Sequence, residues 1–94
     1  MKELRRAVGE WLRNLREQRG LSQRDLAKLV GADYYTFISQ LETGRGRVPS
    51  DRCKLWANAL GVDSKTFMKT LLRYYEPVTY DILFDDEETA TRNL

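Results

Sequence analysis

Thr36, Ser39 and Gln40 are spaced three and four residues apart, so on a helix they share one face, with Tyr34 and Tyr35 at its start. These side chains offer hydroxyls and an amide, which are hydrogen-bond donors and acceptors with no base beside them to make a nucleophile. Downstream, Arg45 and Arg47 flank Gly46, placing two guanidinium groups on a segment that glycine lets bend around an anion. Upstream, Ser22 and Gln23 stand where a helix should begin, beside backbone N–H groups that a helix leaves unpaired and that favour an anion. A glutamine amide matches the N6 and N7 groups on the major-groove edge of adenine. Serine and threonine hydroxyls bond base or phosphate, and a threonine methyl packs on that of thymine. The pattern is one of recognition, directed at a polyanion with readable edges.

Catalysis fits poorly. The chain has no histidine and one cysteine, Cys53, which falls on an apolar helical stripe. Gly44-Arg45-Gly46 is too short for a phosphate-cradling loop, and no set of ligands stands at metal-coordinating spacing. No catalytic residue, cofactor or metal is therefore expected. Ninety-four residues suffice for one domain with a modest core. No apolar run approaches the roughly 20 residues of a membrane span, and Met-Lys-Glu-Leu-Arg-Arg is followed by no signal-peptide apolar stretch. With a lone cysteine unable to form an internal disulfide, these features predict a cytoplasmic protein without a membrane partner. The net charge of +2 hides an asymmetry. Residues 1–80 hold 15 Lys and Arg against nine Asp and Glu, whereas residues 81–94 hold one Arg against five acids. The basic body attracts phosphate and the acidic tail opposes it.

The elements that must position these groups are short helices. Leu4, Val8, Trp11, Leu12 and Leu15 recur at helical spacing and predict a first helix from about Glu3 to Gln18, stopped by Gly20. Ser22 opens a second helix with Asp25 three residues on, close to a capping box, and Leu26, Ala27 and Val30 form its stripe up to Gly31. Gly31-Ala32 is the turn. Asp33 is expected to cap a third helix that buries Phe37, Ile38 and Leu41 and ends at Gly44. A loop, Thr43 to Pro49, leads to a fourth helix capped by Ser50, with Cys53, Trp56, Ala57 and Leu60 on one face before Gly61. Asp63 or Ser64 caps a fifth, bearing Phe67, Met68, Leu71, Leu72 and Tyr75, with Pro77 just beyond its end. Trp11, Trp56 and Phe67 are read as core rather than as a stacking platform. Val78 to Phe84 mixes alternation with an apolar triplet. It is expected either to fold back over the core or to make a dimer contact, with a mobile tail from Asp85 to Leu94.

Two short helices joined by a tight turn form a helix-turn-helix, whose second helix enters the major groove. The series Leu21-Ser22-Gln23-x-x-Leu26-Ala27-x-x-x-Gly31, Ile38-Ser39-x-Leu41-Glu42-x-Gly44, Pro49-Ser50 and Leu60-Gly61-Val62 resembles the phage repressor and Cro-type (XRE) helix-turn-helix family from about Val8 to Val62. The stretch from Gly31 to Ile38 is one residue longer than the usual pattern, so either the turn is looser or the third helix begins earlier. Tyr34-Tyr35 also stands where small or basic polar residues are common. The resemblance implies phosphate binding by Gln23, which has no evident capping task, and an all-α, compact, five-helix repressor-like domain (1–76) with a short C-terminal extension (77–94).

The expected function is sequence-specific DNA binding by a transcriptional regulator, a repressor acting as a homodimer on a two-fold operator. The expected contacts are Ser22, Gln23, Tyr34, Tyr35, Thr36, Ser39, Gln40, Arg45 and Arg47, with Gln40 and Thr36 foremost in reading bases. Arg13, Arg16, Arg19 and Arg24 are candidates to extend the phosphate patch, while Glu42 is expected to pair with an arginine or hold the next loop. Leu71, Leu72, Tyr74, Tyr75 and Ile82 are the first candidates for a dimer interface. The alternative is an antitoxin-like or adaptor protein that binds another polypeptide through the C-terminal extension.

Overall fold

A computed structural model describes the backbone of residues 2–92 and the side chains of residues 3–84. Helix α1 (Lys2–Gln18) turns Val8 and Leu12 into the interior and lays Trp11 and Leu15 against its rim. It lies along α3 (Tyr35–Glu42) at a separation only glycine permits: a Cβ on Gly9 would come 2.5 Å from the carbonyl oxygen of Glu42. Helix α2 (Gln23–Leu29) begins with the predicted capping box. The Asp25 N–H donates to Ser22 Oγ at 3.0 Å, and the Ser22 N–H donates back to Asp25 Oδ2 at 3.0 Å. Helices α4 (Cys53–Leu60) and α5 (Ser64–Tyr75) complete the support, with α5 capped by Asp63 through the N–H of Thr66.

The core is continuous across these five helices. Leu26 from α2, Ile38 and Leu41 from α3, Trp56 and Ala57 from α4, and Phe67 and Leu71 from α5 meet Val8 and Leu12. Trp11 stacks on Phe67 with ring centroids 5.5 Å apart. Burying a large side chain of this kind contributes about 1.5–3 kcal/mol, so Trp56 and Phe67 are among the substantial supports of the α1–α4–α5 frame. The expectation that Trp11, Trp56 and Phe67 are core residues agrees with these positions.

Three expectations need correction. Asp33 does not cap α3: the N-cap is Tyr34, in extended backbone, with no side-chain cap bond. The turn between α2 and α3 covers residues 30–34, where Gly31 has φ +69° and Arg52 Nη1 donates to the Val30 carbonyl at 3.2 Å. Ser50 does not cap the fourth helix; it opens a 3-10 turn (Ser50–Arg52) that runs straight into α4. Residues 78–84, read only as a segment that folds back or makes a dimer contact, are part of a sixth helix, α6 (Pro77–Arg92), which follows the expected five helices and makes the C-terminal extension helical. Pro77 occupies its first position, where a missing N–H costs nothing, so the proline starts a helix as well as following one. The helix also runs through most of the expected tail, and residues 93–94 lie outside the described residues.

Helix α6 packs on α5. Tyr80 is buried and stacks obliquely on Phe84 at 5.0 Å, while Lys69 and Arg73 of α5 lie over these rings at 4.6 and 5.8 Å. That leaves Val78, Ile82 and Leu83 facing outward, 71%, 74% and 58% exposed. Among the predicted interface residues, Leu71 and Tyr75 are core and Leu72 and Tyr74 half-buried, so only Ile82 is fully on the surface.

Candidate nucleic-acid interface

Helix α3 is held from behind by a buried ionic cluster. Arg16 of α1 grips Glu42 at the end of α3 with two bonds, Nε to Oε2 at 2.6 Å and Nη2 to Oε1 at 3.0 Å. The third nitrogen, Nη1, donates to the Leu21 carbonyl at 2.8 Å, and Gln23 Nε2 adds a bond to Glu42 Oε1 at 3.1 Å. The Glu42 carboxylate pushes the already high pKa of Arg16 further up, so the guanidinium stays charged at any working pH. Four side-chain hydrogen bonds thus pin α1, the start of α2 and the end of α3 to one another. The expected pairing of Glu42 with an arginine is realised here. Gln23, in contrast, is half-buried with its amide nitrogen committed to this cluster, an internal task the sequence did not reveal.

The outer side of α3 presents Thr36 and Gln40, both exposed and four residues apart, with Ser39 half-buried between them. Ile38 and Leu41 are buried on the opposite side and Phe37 is half-buried. Tyr34 and Tyr35 are 74% and 42% exposed, so neither is a core aromatic. The Arg24 guanidinium lies 4.6 Å from the Tyr35 ring centroid. Thr36, Gln40, Tyr34 and Tyr35 therefore come together around the first two turns of α3, with Arg24 at their edge. Ser22 is exposed, and its hydroxyl accepts the cap bond at the start of α2.

The two loop arginines separate. Arg45 is exposed and makes no ion pair among the described residues, whereas Arg47 Nη2 donates to Glu76 Oε2 at 2.8 Å and its guanidinium lies 5.1 Å from the Tyr75 ring centroid. Arg47 in turn holds the Glu76 carboxyl below the usual carboxylate range. The loop is braced further by Arg5, whose Nη1 donates to the Gly46 carbonyl at 3.1 Å, and by Tyr75 Oη, which accepts from the Val48 N–H at 3.4 Å. Of the arginines expected to widen the patch, Arg13 pairs with Glu17, Arg16 is buried, and Arg19 lies against Gly61. Of the four, Arg24 is the one that stands exposed beside the start of α3, over the Tyr35 ring.

Cys53 is buried, and burial pushes its thiol pKa up, which suits a small core residue. Among the described residues no helix is long and apolar enough to cross a membrane. A search of curated proteins finds no match to this chain. The helix-turn-helix family model matches residues 12–67, from the middle of α1 through the first turns of α5 and so over more than half of the chain. With α2 and α3 in the expected order and Thr36 and Gln40 outward on the second of them, the chain belongs to the XRE (phage repressor and Cro-type) helix-turn-helix family of DNA-binding regulators.

Proposed function

We propose that this protein is a transcriptional repressor of the cytoplasm that binds a two-fold DNA operator as a homodimer. The observation that carries the reading is the fixed α2–α3 pair: the Arg16–Glu42–Gln23 cluster anchors α3 from behind and leaves Thr36 and Gln40 unobstructed on its outer side. In this account Gln40 and Thr36 read bases, with Ser39 and Tyr34 beside them. Arg45 and the start of α2 at Ser22 meet phosphates. Arg47 reaches DNA only by exchanging Glu76 for a phosphate, and Gln23 contributes chiefly by holding α3 in place. One such unit reads only a few base pairs, so operator length and affinity both favour two copies.

Residues 77–94 supply the association segment. Val78 and Ile82, four residues apart on α6, form with Leu83 an apolar strip that nothing among the described residues covers. A different polypeptide could cover the same strip, which is the competing, antitoxin-like reading. Sedimentation of the chain alone and with duplex separates the two. The expected result is two protomers per duplex, reduced to one in Ile82→Asp with weaker binding and an unchanged melting temperature. A single protomer at saturation, indifferent to that substitution, would favour the protein-partner reading.

A further inference from the structure

Tyr35 stands where a base-reading side chain is expected, yet its face is already occupied by the Arg24 guanidinium at 4.6 Å, well inside cation–π range. We infer that Tyr35 is a positioning residue: its ring holds Arg24 of α2 against the phosphates of one DNA strand, at the edge of the base-reading face. The inference rests on the DNA-binding reading above and assigns within it a contact that joins the two helices of the motif.

Arg13, Arg16 and Arg47 each have a glutamate partner. None of the ion pairs among the described residues involves Arg24, whose guanidinium lies instead over the face of the Tyr35 ring. Arg24 is exposed and Tyr35 half-exposed, so the ring does not bury the charge but limits where it can go. An arginine has many rotamers, and one resting on a ring has fewer left to lose when an anion arrives. Lys28, four residues further along α2, lines the same shallow cleft of about 270 Å³ between α2 and the start of α3. Asp33 lines it too, without an ion pair to either cation. Two cations thus line the flank of α2 next to Tyr35, on the helix that in such a motif crosses the phosphate backbone. Tyr34, 74% exposed and without a ring partner among the described residues, is the tyrosine left to touch DNA directly.

The test uses the full chain, one duplex enriched from a random pool and one unselected duplex, each titrated against salt. Arg24→Ala is expected to weaken binding to both about five-fold and to lower the salt slope by about one. Tyr35→Ala should lose about as much on both duplexes, and the double variant no more than about two-fold beyond either single one. Tyr35→Phe keeps the ring and should stay within about two-fold of the parent. Because Arg24 is exposed and Tyr35 lies outside the core, all of these variants should fold and melt within about 5 °C of the parent. A Tyr35→Phe loss as large as that of Tyr35→Ala, or a loss confined to the enriched duplex, would show Tyr35 reading bases itself and overturn the assignment. Losses that multiply in the double variant would overturn it equally. Failure of the parent chain to bind either duplex at low salt would overturn the DNA-binding reading, and this inference with it, before any variant is made.

Discussion

Gln40 and Arg45 are both exposed near the end of α3, and the proposed function assigns them to different parts of a duplex. If Gln40 pairs with a base edge through two bonds, as proposed, Gln40→Ala is expected to cost about 1–3 kcal/mol of discrimination at one position. Arg45→Ala removes a charge that any duplex meets, so it should weaken all sequences alike and lower the salt slope by about one. Titrations on selected and unselected duplexes check this division, and equal losses from both variants on both duplexes would contradict it. Behind them, Glu42→Ala strands the buried Arg16 guanidinium and is expected to destabilise the fold by about 3–5 kcal/mol in urea denaturation. A loss under about 1 kcal/mol would mean that the cluster does not hold α3. At this scale the sequence was informative about type and silent about partner. Cys53, Trp56 and Phe67 were legible as core because helical periodicity is a local signal. The commitment of Gln23 to a carboxylate 19 residues away, and of Arg47 to one 29 residues away, depends on how helices pack.

Local signals also account for which elements could be read. The Ser22–Asp25 box and the Asp63 cap are short-range chemistry, and both appear where the residues place them. Each of these carboxyls is held below its usual range by hydrogen bonds, from Ser22 to Asp25 and from Thr66 to Asp63. A carboxyl depressed in the folded state stabilises above its unfolded value of about 4, and that stabilisation disappears as pH falls through the folded value. The melting temperature should therefore stay level between about pH 6 and 5 and fall below about pH 4. A variant with Asp25→Asn and Asp63→Asn should melt lower at neutral pH and show a flatter acid limb in pH-dependent melts. An unchanged acid limb would count against these caps. Asp33 misled because the backbone of a five-residue turn, not a side chain, delivers the chain into α3. Helix α6 was missed because Pro77 reads as a stop, and because Ile82-Leu83-Phe84 places apolar groups on both the packed and the open side of the helix.

Across the whole molecule, the domain divides its labour by charge. The basic excess lies in residues 1–80, and all five acids of residues 81–94 fall within α6, the helix whose apolar strip is open. In the proposed dimer, pairing that strip with a second copy would give two α3 helices to read a symmetric site. The family and the order of its helices were legible in the motif, but the existence of α6, and with it the open strip, required the structure. The central claim is sequence-specific recognition of DNA by two copies, and the most direct measurement is selection of bound sequences from a random duplex pool at moderate salt. The account predicts an enriched inverted repeat with half-site centres about 10 bp apart. Salt-sensitive binding without an enriched motif, or no binding at all, would contradict it.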